Sequence, residues 1–313
     1  MSQIARKAFE LLLSNINSVI LGKEDSIKLV LSCWFAGGHV LLEDNPGTGK
    51  TILAKTIAKS VNSEFGRVQF TPDLLPSDVT GSTIYDEESK KFQFNKGPIF
   101  SSVVLADEIN RATPRTQSAL LEAMAEFQVT VDKSTYKLKN EFFVIATQNP
   151  IEQHGTFPLP EAQLDRFSMK ISLGYPSRES ELKILLGRKT EDPFTKLQPV
   201  IKLEHIQEIK KVVEAINITD STMAYILDVI NKTREHKDIA LPASPRASIN
   251  LMKLSQAYSF ILGEDFVRPS TVYKILPLVL EHRIAQTSDS RFQGKAKTDI
   301  LKEVLDQVRV PTK

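Results

Sequence analysis

Residues 40–51 decide the fold, and they read VLLEDNPGTGKT. An apolar run typical of a buried strand stops at a Gly/Pro turn, and a Lys-Thr pair then opens a helix predicted over residues 51–60. Because glycine carries no Cβ, the backbone at Gly47 and Gly49 can close around an anion with its N–H groups pointing inward. The start of the helix adds unpaired N–H donors and the positive end of its dipole. The stretch is therefore predicted to bind phosphate groups.

The residues of this phosphate loop favour a nucleoside triphosphate with Mg²⁺ as ligand. In the pattern G-x-x-x-x-G-K-[ST], the lysine reaches the β- and γ-phosphates and the hydroxyl that follows ligates magnesium. Lys50 and Thr51 occupy these two positions. The predicted nucleotide contacts are Asn45, Pro46, Gly47, Thr48, Gly49, Lys50, Thr51 and Ile52.

Asp44 departs from this pattern, which has glycine at the same position. Aspartate tolerates left-handed backbone conformations better than most residues, so the turn can still form. We expect its carboxylate to point away from the triphosphate, because a carboxylate facing the phosphates would weaken their binding. A Gly-rich turn between strand and helix that binds nothing is the alternative interpretation.

The composition is that of a soluble globular protein of about two domains, with 313 residues, 41% hydrophobic and 25% charged. A net charge of +2 does not indicate a protein that coats nucleic acid. Residues 1–10 lack a secretory pattern, and the longest apolar run, residues 29–42, is too interrupted to span a bilayer. The single Cys33 excludes intrachain disulfides and multi-cysteine metal sites. We expect a cytoplasmic protein with no membrane insertion.

Apolar runs alternate with helical segments in the first half of the chain. Strands are predicted at the start of residues 40–51 and at residues 68–70, 102–106, 142–146 and 169–173. Thr113 and Pro114 predict a helix start, with an N-cap followed by proline at the first helical position. This α/β alternation predicts a five-stranded parallel sheet with helices on both faces.

After residue 174 the pattern indicates helices alone. They are predicted at residues 180–186, 206–216, 222–230, 247–262, 271–280 and 299–308. We therefore predict a nucleotide-binding α/β core over residues 1–174 and an all-α lid domain over residues 175–313. Boundaries of this kind carry an error of about 2–4 residues.

Two further segments of the core have the period-two alternation of β-hairpins. Residues 82–85 and 91–94 flank one polar turn, and residues 128–131 and 135–138 flank another. Decoration of a sheet edge is the alternative interpretation of both.

Two apolar runs end in side chains suited to phosphate chemistry. Residues 103–106 lead into Asp107 and Glu108, and a buried acidic pair is costly unless it meets a cation such as magnesium. Asp107 would hold the metal, and Glu108 would orient or deprotonate the attacking water. Asn149 ends the next run and could hold that water or the γ-phosphate, although Asn-Pro is also an ordinary turn signal.

Two arginines are further candidates. Arg166 follows Asp165 just before the last predicted strand. Arg246 lies at a predicted helix start, where the helix dipole disfavours a cation, so a role elsewhere is expected. A solvated surface charge is the alternative interpretation for each.

Together these segments resemble the MoxR family of AAA+ ATPases over nearly the whole chain. The motifs that carry the resemblance are residues 38–43, 46–51, 69–78, 107–112, 146–150, 161–167 and 244–247. Besides Asp44, the chain departs from its relatives at Lys23, where Gly-Gln is usual, and at Pro242, where glycine is frequent.

The resemblance implies a P-loop NTPase core of the AAA+ type and a role for each candidate residue. Lys50 and Thr51 would be the Walker A pair, Asp107 and Glu108 the Walker B pair, and Asn149 the sensor-1 residue. Arg166 would be the arginine finger that acts on nucleotide held by a neighbouring subunit. Arg246 would be the sensor-2 arginine, which reaches the nucleotide of its own subunit.

The resemblance also implies Mg²⁺-dependent ATP hydrolysis in a homo-oligomeric ring, expected to be a hexamer. Family members resemble chaperone-like remodellers that mature or activate other protein complexes, often with a partner carrying a von Willebrand factor A domain. One alternative is a nucleic-acid motor of the MCM-like clade. The positive charges of Lys133, Lys137 and Lys139 in or beside the second hairpin favour it, whereas the negative charges of Asp132 and Glu141 in the same region do not. A magnesium-chelatase-type ATPase subunit and a scaffold that binds ATP without hydrolysing it are further alternatives.

Overall fold

The computed structural model describes residues 2–132, 134–150, 155–189 and 191–311. The helices are α1 (Gln3–Asn17), α2 (Glu24–Phe35), α3 (Lys50–Ser60), α4 (Pro76–Thr80), α5 (Pro114–Glu126), α6 (Glu161–Leu164), α7 (Arg178–Arg188), α8 (Pro193–Lys196), α9 (Leu203–Glu214), α10 (Asp220–Glu235), α11 (Pro245–Leu262), α12 (Pro269–Leu280), α13 (Ser288–Phe292) and α14 (Lys297–Asp306). The strands are β1 (Val40–Glu43), β2 (Phe65–Gln69), β3 (Gly81–Asp86), β4 (Lys91–Lys96), β5 (Val103–Asp107), β6 (Gln128–Val131), β7 (Ser134–Lys137), β8 (Phe143–Gln148), β9 (Met169–Ile171), β10 (Ile239–Leu241) and β11 (Ala285–Gln286).

Five strands form one sheet in the order β2-β5-β8-β1-β9, and neighbouring strands run parallel. This confirms the predicted five-stranded parallel sheet. β1 and β8 are neighbours, and from their carboxyl ends the chain leads in opposite directions along the sheet, from β1 to β2 and from β8 to β9. Such switch points of α/β sheets are where ligands bind.

Alternate strand residues pack into two separate buried clusters, as the period of two of a strand requires. Val40 and Leu42 pack with α1, α2 and α3 on one face, whereas Leu41 packs on the other face with α5. Both faces of the sheet are therefore covered, which explains why its strands are apolar throughout.

The predicted helical segments after residue 174 are confirmed, and helices α9, α10, α11, α12 and α14 bury residues in the same cluster as α1 and α2. The helical region is thus joined to the core through a continuous apolar contact. Its short antiparallel pair β10–β11 was not predicted, because strands of two or three residues leave no readable alternation. The division into domains at residue 174 remains a prediction.

Both predicted hairpins are confirmed, as the antiparallel pairs β3–β4 and β6–β7. Each forms a two-stranded sheet of its own among the described residues. The hairpins also contact each other. The rings of Phe94 and Tyr136 stack with centroids 4.2 Å apart, and the Thr83 hydroxyl donates to Asp132 at 2.8 Å.

Candidate functional site

The phosphate loop joins β1 to α3 through two glycines with left-handed backbone. Gly47 has φ 83° and Gly49 has φ 93°, a region that side chains with a Cβ rarely adopt. Helix α3 begins directly after Gly49, whose carbonyl oxygen accepts the hydrogen bond of Leu53 N–H at 2.9 Å. The first N–H groups of α3 therefore face the loop, as anion binding requires.

The Lys50 amine is held inside this loop. Its Nζ donates to the carbonyl oxygens of Asp44 at 2.7 Å and Asn45 at 3.3 Å. Burial lowers the pKa of Lys50, and the carboxylates of Asp44, Asp107 and Glu108 oppose that shift. A phosphate group offers this amine a far better charge partner than two carbonyls.

A cavity of about 350 Å³ lies between the loop and the carboxyl ends of β5 and β8. Its lining residues are Pro46, Gly47, Thr48, Gly49, Lys50, Thr51, Ile52, Asp107, Glu108 and Asn149. The structure thus brings together the loop and the acidic pair that the sequence suggested, with Asn149 buried at its wall. The described lining does not include Asn45, Arg166 or Arg246.

Asp107 is fixed by its neighbours on adjacent strands. Its Oδ1 accepts from the Thr147 hydroxyl at 2.8 Å, and its Oδ2 pairs with Arg67 at 2.9 Å. The Thr147 oxygen also accepts from the backbone N–H of Glu108 at 2.8 Å. One threonine of β8 therefore sets the position of both acidic residues.

Glu108 has a left-handed backbone with φ 57°, which is uncommon for a residue with a long side chain. Such strain costs about 1–3 kcal/mol and persists where the surroundings enforce it, often at active sites. The Glu108 carboxylate accepts from Gln69 Nε2 and Arg111 Nη1, both at 2.9 Å. These polar contacts keep the carboxylate in place beside the cavity.

Arg67, Gln69 and Arg111 were missed by the sequence analysis. Arg67 and Gln69 lie two residues apart on β2 and so share a face of the sheet. Gln69 is paired in register with Asp107 of β5. The alternation of side chains along β2 indicates that Arg67 and Gln69 share a face. The sequence does not show the strand order that places β2 beside β5.

Asp44 directs its carboxylate to the far side of the loop. Its Oδ1 accepts from the Ser172 hydroxyl at 2.7 Å and from Gly174 N–H at 2.9 Å, and its Oδ2 accepts from Leu173 N–H at 2.7 Å. The expectation that this carboxylate points away from the phosphate side is confirmed. The departure from glycine therefore ties the start of the loop to the segment that follows β9.

Lys23, which also departs from the family pattern, binds the same segment after β9. Its Nζ donates to the carbonyl oxygens of Leu173 at 2.7 Å and Tyr175 at 2.5 Å. Burial lowers the pKa of Lys23, and the nearby Asp44 carboxylate opposes that shift. Residues 172–175 are thus held from both sides immediately before α7.

A second cavity of about 230 Å³ shares Gly47, Thr48, Gly49 and Ile52 with the first. Its remaining walls come from the α1–α2 connection and from residues 176–193. They combine apolar residues with charged ones, namely Val19, Ile20, Leu21, Pro176, Ile184, Lys23, Lys183 and Asp192. The sequence analysis missed these residues, because isolated side chains far apart in the chain give no signal of a shared pocket. Because the two cavities share these four loop residues, the second cavity adjoins the first at the phosphate loop.

Arg166 and Arg246 occupy the junction between the sheet and the helical region. Arg166 is half-buried in the turn between α6 and β9, and Arg246 is exposed in the first turn of α11. Of the lysines that favoured a nucleic-acid motor, Lys133 lies outside the described residues. Lys139 pairs with Glu64 at 2.7 Å.

A phosphate loop after β1, an acidic pair at the end of β5 and a helical region packed behind the sheet define a P-loop ATPase of the AAA+ class. Residues 39–169 match the family described as ATPase family associated with various cellular activities (AAA). Residues 231–304 match the AAA lid domain. The first match spans the sheet up to the start of β9, and the second spans the helical region from within α10 to within α14.

Individual relatives narrow the class. The chain is 47% identical to the uncharacterised protein YeaC of Bacillus subtilis, over 95% of this chain and 93% of the relative. It is 35% identical to chaperone MoxR1 of Mycobacterium tuberculosis, over 95% of this chain and 80% of the relative. A crystal structure of a candidate ATPase from Cytophaga hutchinsonii superimposes with a TM-score of 0.91 at 37% identity, covering 98% of this chain and 96% of that one. The chain belongs to the MoxR family of AAA+ ATPases.

Within the part of the chain that the structure describes, no helix is both long enough and apolar enough to cross a membrane.

Proposed function

We propose that this protein hydrolyses ATP with Mg²⁺ at the interfaces of a homo-oligomeric ring. The observation that carries the proposal is the cavity whose wall combines the loop residues, both acidic residues and Asn149. Phosphoryl transfer depends mainly on positioning and charge neutralisation, and these residue types supply both.

The donor set fits the metal and the phosphates. The Thr51 hydroxyl and the Asp107 carboxylate, which both line the cavity, offer the hard oxygen ligands that Mg²⁺ prefers. When bound, Mg²⁺ neutralises negative charge on the β- and γ-phosphates. Lys50 and the loop N–H groups bind the same phosphate oxygens. The second cavity accommodates the base, for which we propose adenine.

Glu108 accepts a proton from the attacking water, whose oxygen forms a bond to the γ-phosphorus. The bond between that phosphorus and the bridging oxygen of ADP breaks, and ADP and phosphate leave. Asn149 orients the water or the γ-phosphate. Gln69 and Arg111, which hold the Glu108 carboxylate, fix the direction from which it reaches the water.

Two arginines supply the remaining positive charge that stabilises the phosphates during hydrolysis. Arg166 acts on the nucleotide of the neighbouring subunit, and Arg246 acts on the nucleotide of its own subunit from the start of α11. The ring is proposed to be a hexamer in the cytoplasm, in which residues 1–174 form the core and residues 175–313 form the lid. Each nucleotide site is then completed by two chains.

The relatives support a proposal for the cellular role. MoxR1 of M. tuberculosis is named a chaperone, which supports a role for this protein as a remodeller that matures or activates other protein complexes. A partner with a von Willebrand factor A domain is part of the same proposal. The balanced charge and the Lys139–Glu64 pair do not favour the nucleic-acid motor.

The test is Glu108→Gln, which removes the proton acceptor, keeps the shape of the side chain and leaves an amide oxygen that can accept from Gln69 and Arg111. We expect ATP binding to survive while steady-state phosphate release falls by about 10²–10⁴-fold, the usual contribution of a general base. The matched control is Glu122→Gln on the exposed surface of α5, which should leave release unchanged. Phosphate release by Glu108→Gln at the wild-type rate would disprove the assignment.

A further inference from the structure

Helix α7 forms one wall of the second cavity but has little packing of its own. Its lining residues are Lys183, Ile184 and Gly187. No side chain of α7 that the structure describes is buried, and Leu185 is 66% exposed. Because short helices in proteins are stable mainly through the packing of an apolar face, α7 needs another means to keep its position. The contacts of the chain around its first turn supply one.

The phosphate loop holds the segment that leads into α7. Residues 172–175 leave β9 at the carboxyl edge of the sheet, beside the end of β1, with which β9 is paired. Asp44, the residue after β1, is 5% exposed and accepts hydrogen bonds from each of residues 172–174. Asn45 Nδ2 donates to the Tyr175 hydroxyl at 3.4 Å. The loop and the segment before α7 are therefore directly joined.

The α1–α2 connection holds the same segment from the other side. Lys23 Nζ donates to the carbonyl oxygens of Leu173 and Tyr175. The first turn of α7 also lies against this connection, since a Cβ added to Gly22, which has φ 72°, would come within 2.2 Å of Ser180 Oγ. The loop and the connection both line the second cavity. Helix α7 is thus positioned by two elements that line the same cavity as α7 itself.

A carboxylate suits the position of Asp44, because it only accepts hydrogen bonds and can accept several at once. Glycine, which the phosphate-loop pattern has there, would offer these donors no acceptor. The bonds also stabilise the fold, but the cavity linings indicate a further role. Among the described residues, the wall of the phosphate cavity includes none after Asn149. A displaced α7 would therefore alter the second cavity and leave the phosphate cavity as it is.

We propose that Asp44 and Lys23 are positioning residues: their hydrogen bonds to residues 172–175 form a brace that keeps α7 in the wall of the second cavity. This inference rests on the proposed function, in which the second cavity receives adenine. The two residues act on the base through α7 and take no part in binding the phosphates or in the chemistry. Loosening the brace therefore weakens the binding of ligands that carry a base and leaves the binding of bare phosphates unchanged.

The experiment compares ADP with pyrophosphate, each with Mg²⁺, on the full chain by isothermal titration calorimetry. Pyrophosphate carries the two phosphates of ADP without the adenosine, so it probes the phosphate cavity alone. Neither ligand is consumed by ATP hydrolysis. Wild type should bind ADP more tightly than pyrophosphate. Steady-state phosphate release from ATP is measured as well, because a loss of base binding alone raises KM and leaves kcat unchanged.

Two variants loosen the brace from opposite sides. Asp44→Asn leaves a buried N–H without its acceptor, which should weaken ADP binding about tenfold. Lys23→Met removes the amine and keeps the length of the apolar stem, which matters because Lys23 also lines the second cavity. Its effect should be smaller, about threefold, since water can replace the amine at the exposed carbonyl oxygen of Tyr175. Pyrophosphate binding should be unchanged in both variants.

Leu301→Ala controls for lost stability. Leu301 is fully buried in α14, and truncating a buried leucine destabilises a fold by an amount comparable to that expected for Asp44→Asn. This control should keep wild-type affinity for both ligands. Urea denaturation establishes that each variant folds. Because Lys23 is only partly buried, Lys23→Met decides the question even if Asp44→Asn does not fold.

We expect weaker ADP binding and a higher KM for ATP in both brace variants, with pyrophosphate affinity and kcat as in wild type. Equal losses for ADP and pyrophosphate would show that the variants disturb the phosphate loop itself, and unchanged ADP affinity would show that the brace does not position α7. Either result overturns the inference and leaves the proposed function intact. A wild type that binds ADP no more tightly than pyrophosphate, or releases no phosphate from ATP, would instead overturn the proposed function, and the inference with it.

Discussion

Replacing Asp44 with asparagine tests the explanation given for the departure from glycine. Asp44 is 5% exposed and accepts three hydrogen bonds, from Ser172 Oγ, Leu173 N–H and Gly174 N–H. In Asp44→Asn the amide oxygen can keep the two bonds made by Oδ1. The amide NH₂ then faces Leu173 N–H, which leaves that backbone donor without an acceptor.

The expected loss can be estimated from these contacts. A buried N–H left unpaired costs about 1–3 kcal/mol. The two remaining bonds lose the assistance of a charge, which makes them weaker than bonds to a carboxylate. The free energy of unfolding should therefore fall by about 2–4 kcal/mol in Asp44→Asn.

Urea denaturation measures this loss, and Ser172→Ala is the matched control. That variant removes one donor and leaves the carboxylate with both backbone bonds, so we expect a loss of about 1 kcal/mol. ATP affinity should not rise in Asp44→Asn, because the carboxylate faces away from the phosphates. A loss of stability under about 0.5 kcal/mol, within the range of ordinary surface changes, would refute the reasoning. Tighter ATP binding would show that the carboxylate repels the phosphates after all.

Two further predictions concern the buried His39 and the proposed arginine finger Arg166. Burial lowers the pKa of His39 to about 3, and its Nδ1 accepts from Val144 N–H at 3.1 Å. Neutral His39 therefore stabilises the fold fully above the unfolded pKa of about 6.5. As pH falls below that value the unfolded state binds a proton and the folded state does not, so the free energy of unfolding drops by about 2 kcal/mol between pH 7 and pH 5. Between pH 7 and pH 5, the difference in the free energy of unfolding between wild type and His39→Gln should shrink by that amount. A difference that stays constant over this range would contradict the assigned role of His39. Arg166→Ala should keep equilibrium ATP binding and lose about 10³–10⁵-fold in phosphate release, and wild-type release would exclude the assigned role.

The sequence was most informative about features whose residues lie close together in the chain. The phosphate loop needs a strand, two glycines, a lysine and a helix start within a dozen neighbouring residues, so residues 40–51 carried that prediction alone. The apolar runs of the strands and the Thr113 and Pro114 start of α5 were readable for the same reason.

Contacts between distant residues could not be read in this way. The ion-paired Arg283 and Asp165 are 118 positions apart, and either residue alone resembles an ordinary surface charge. Arg67 meets Asp107 because β2 pairs with β5, a consequence of strand order rather than of local pattern. The second cavity likewise exists because α7 folds back over the α1–α2 connection.

The proposal that each nucleotide site is shared between two chains is tested most directly by mixing two inactive variants. Arg166→Ala and Glu108→Gln are each expected to release phosphate at a small fraction of the wild-type rate. Combined in equal amounts, they should regain about a quarter of wild-type phosphate release, because some interfaces then join an intact Glu108 to an intact Arg166. A mixture no more active than its two components, in rings shown to exchange subunits, would contradict the account.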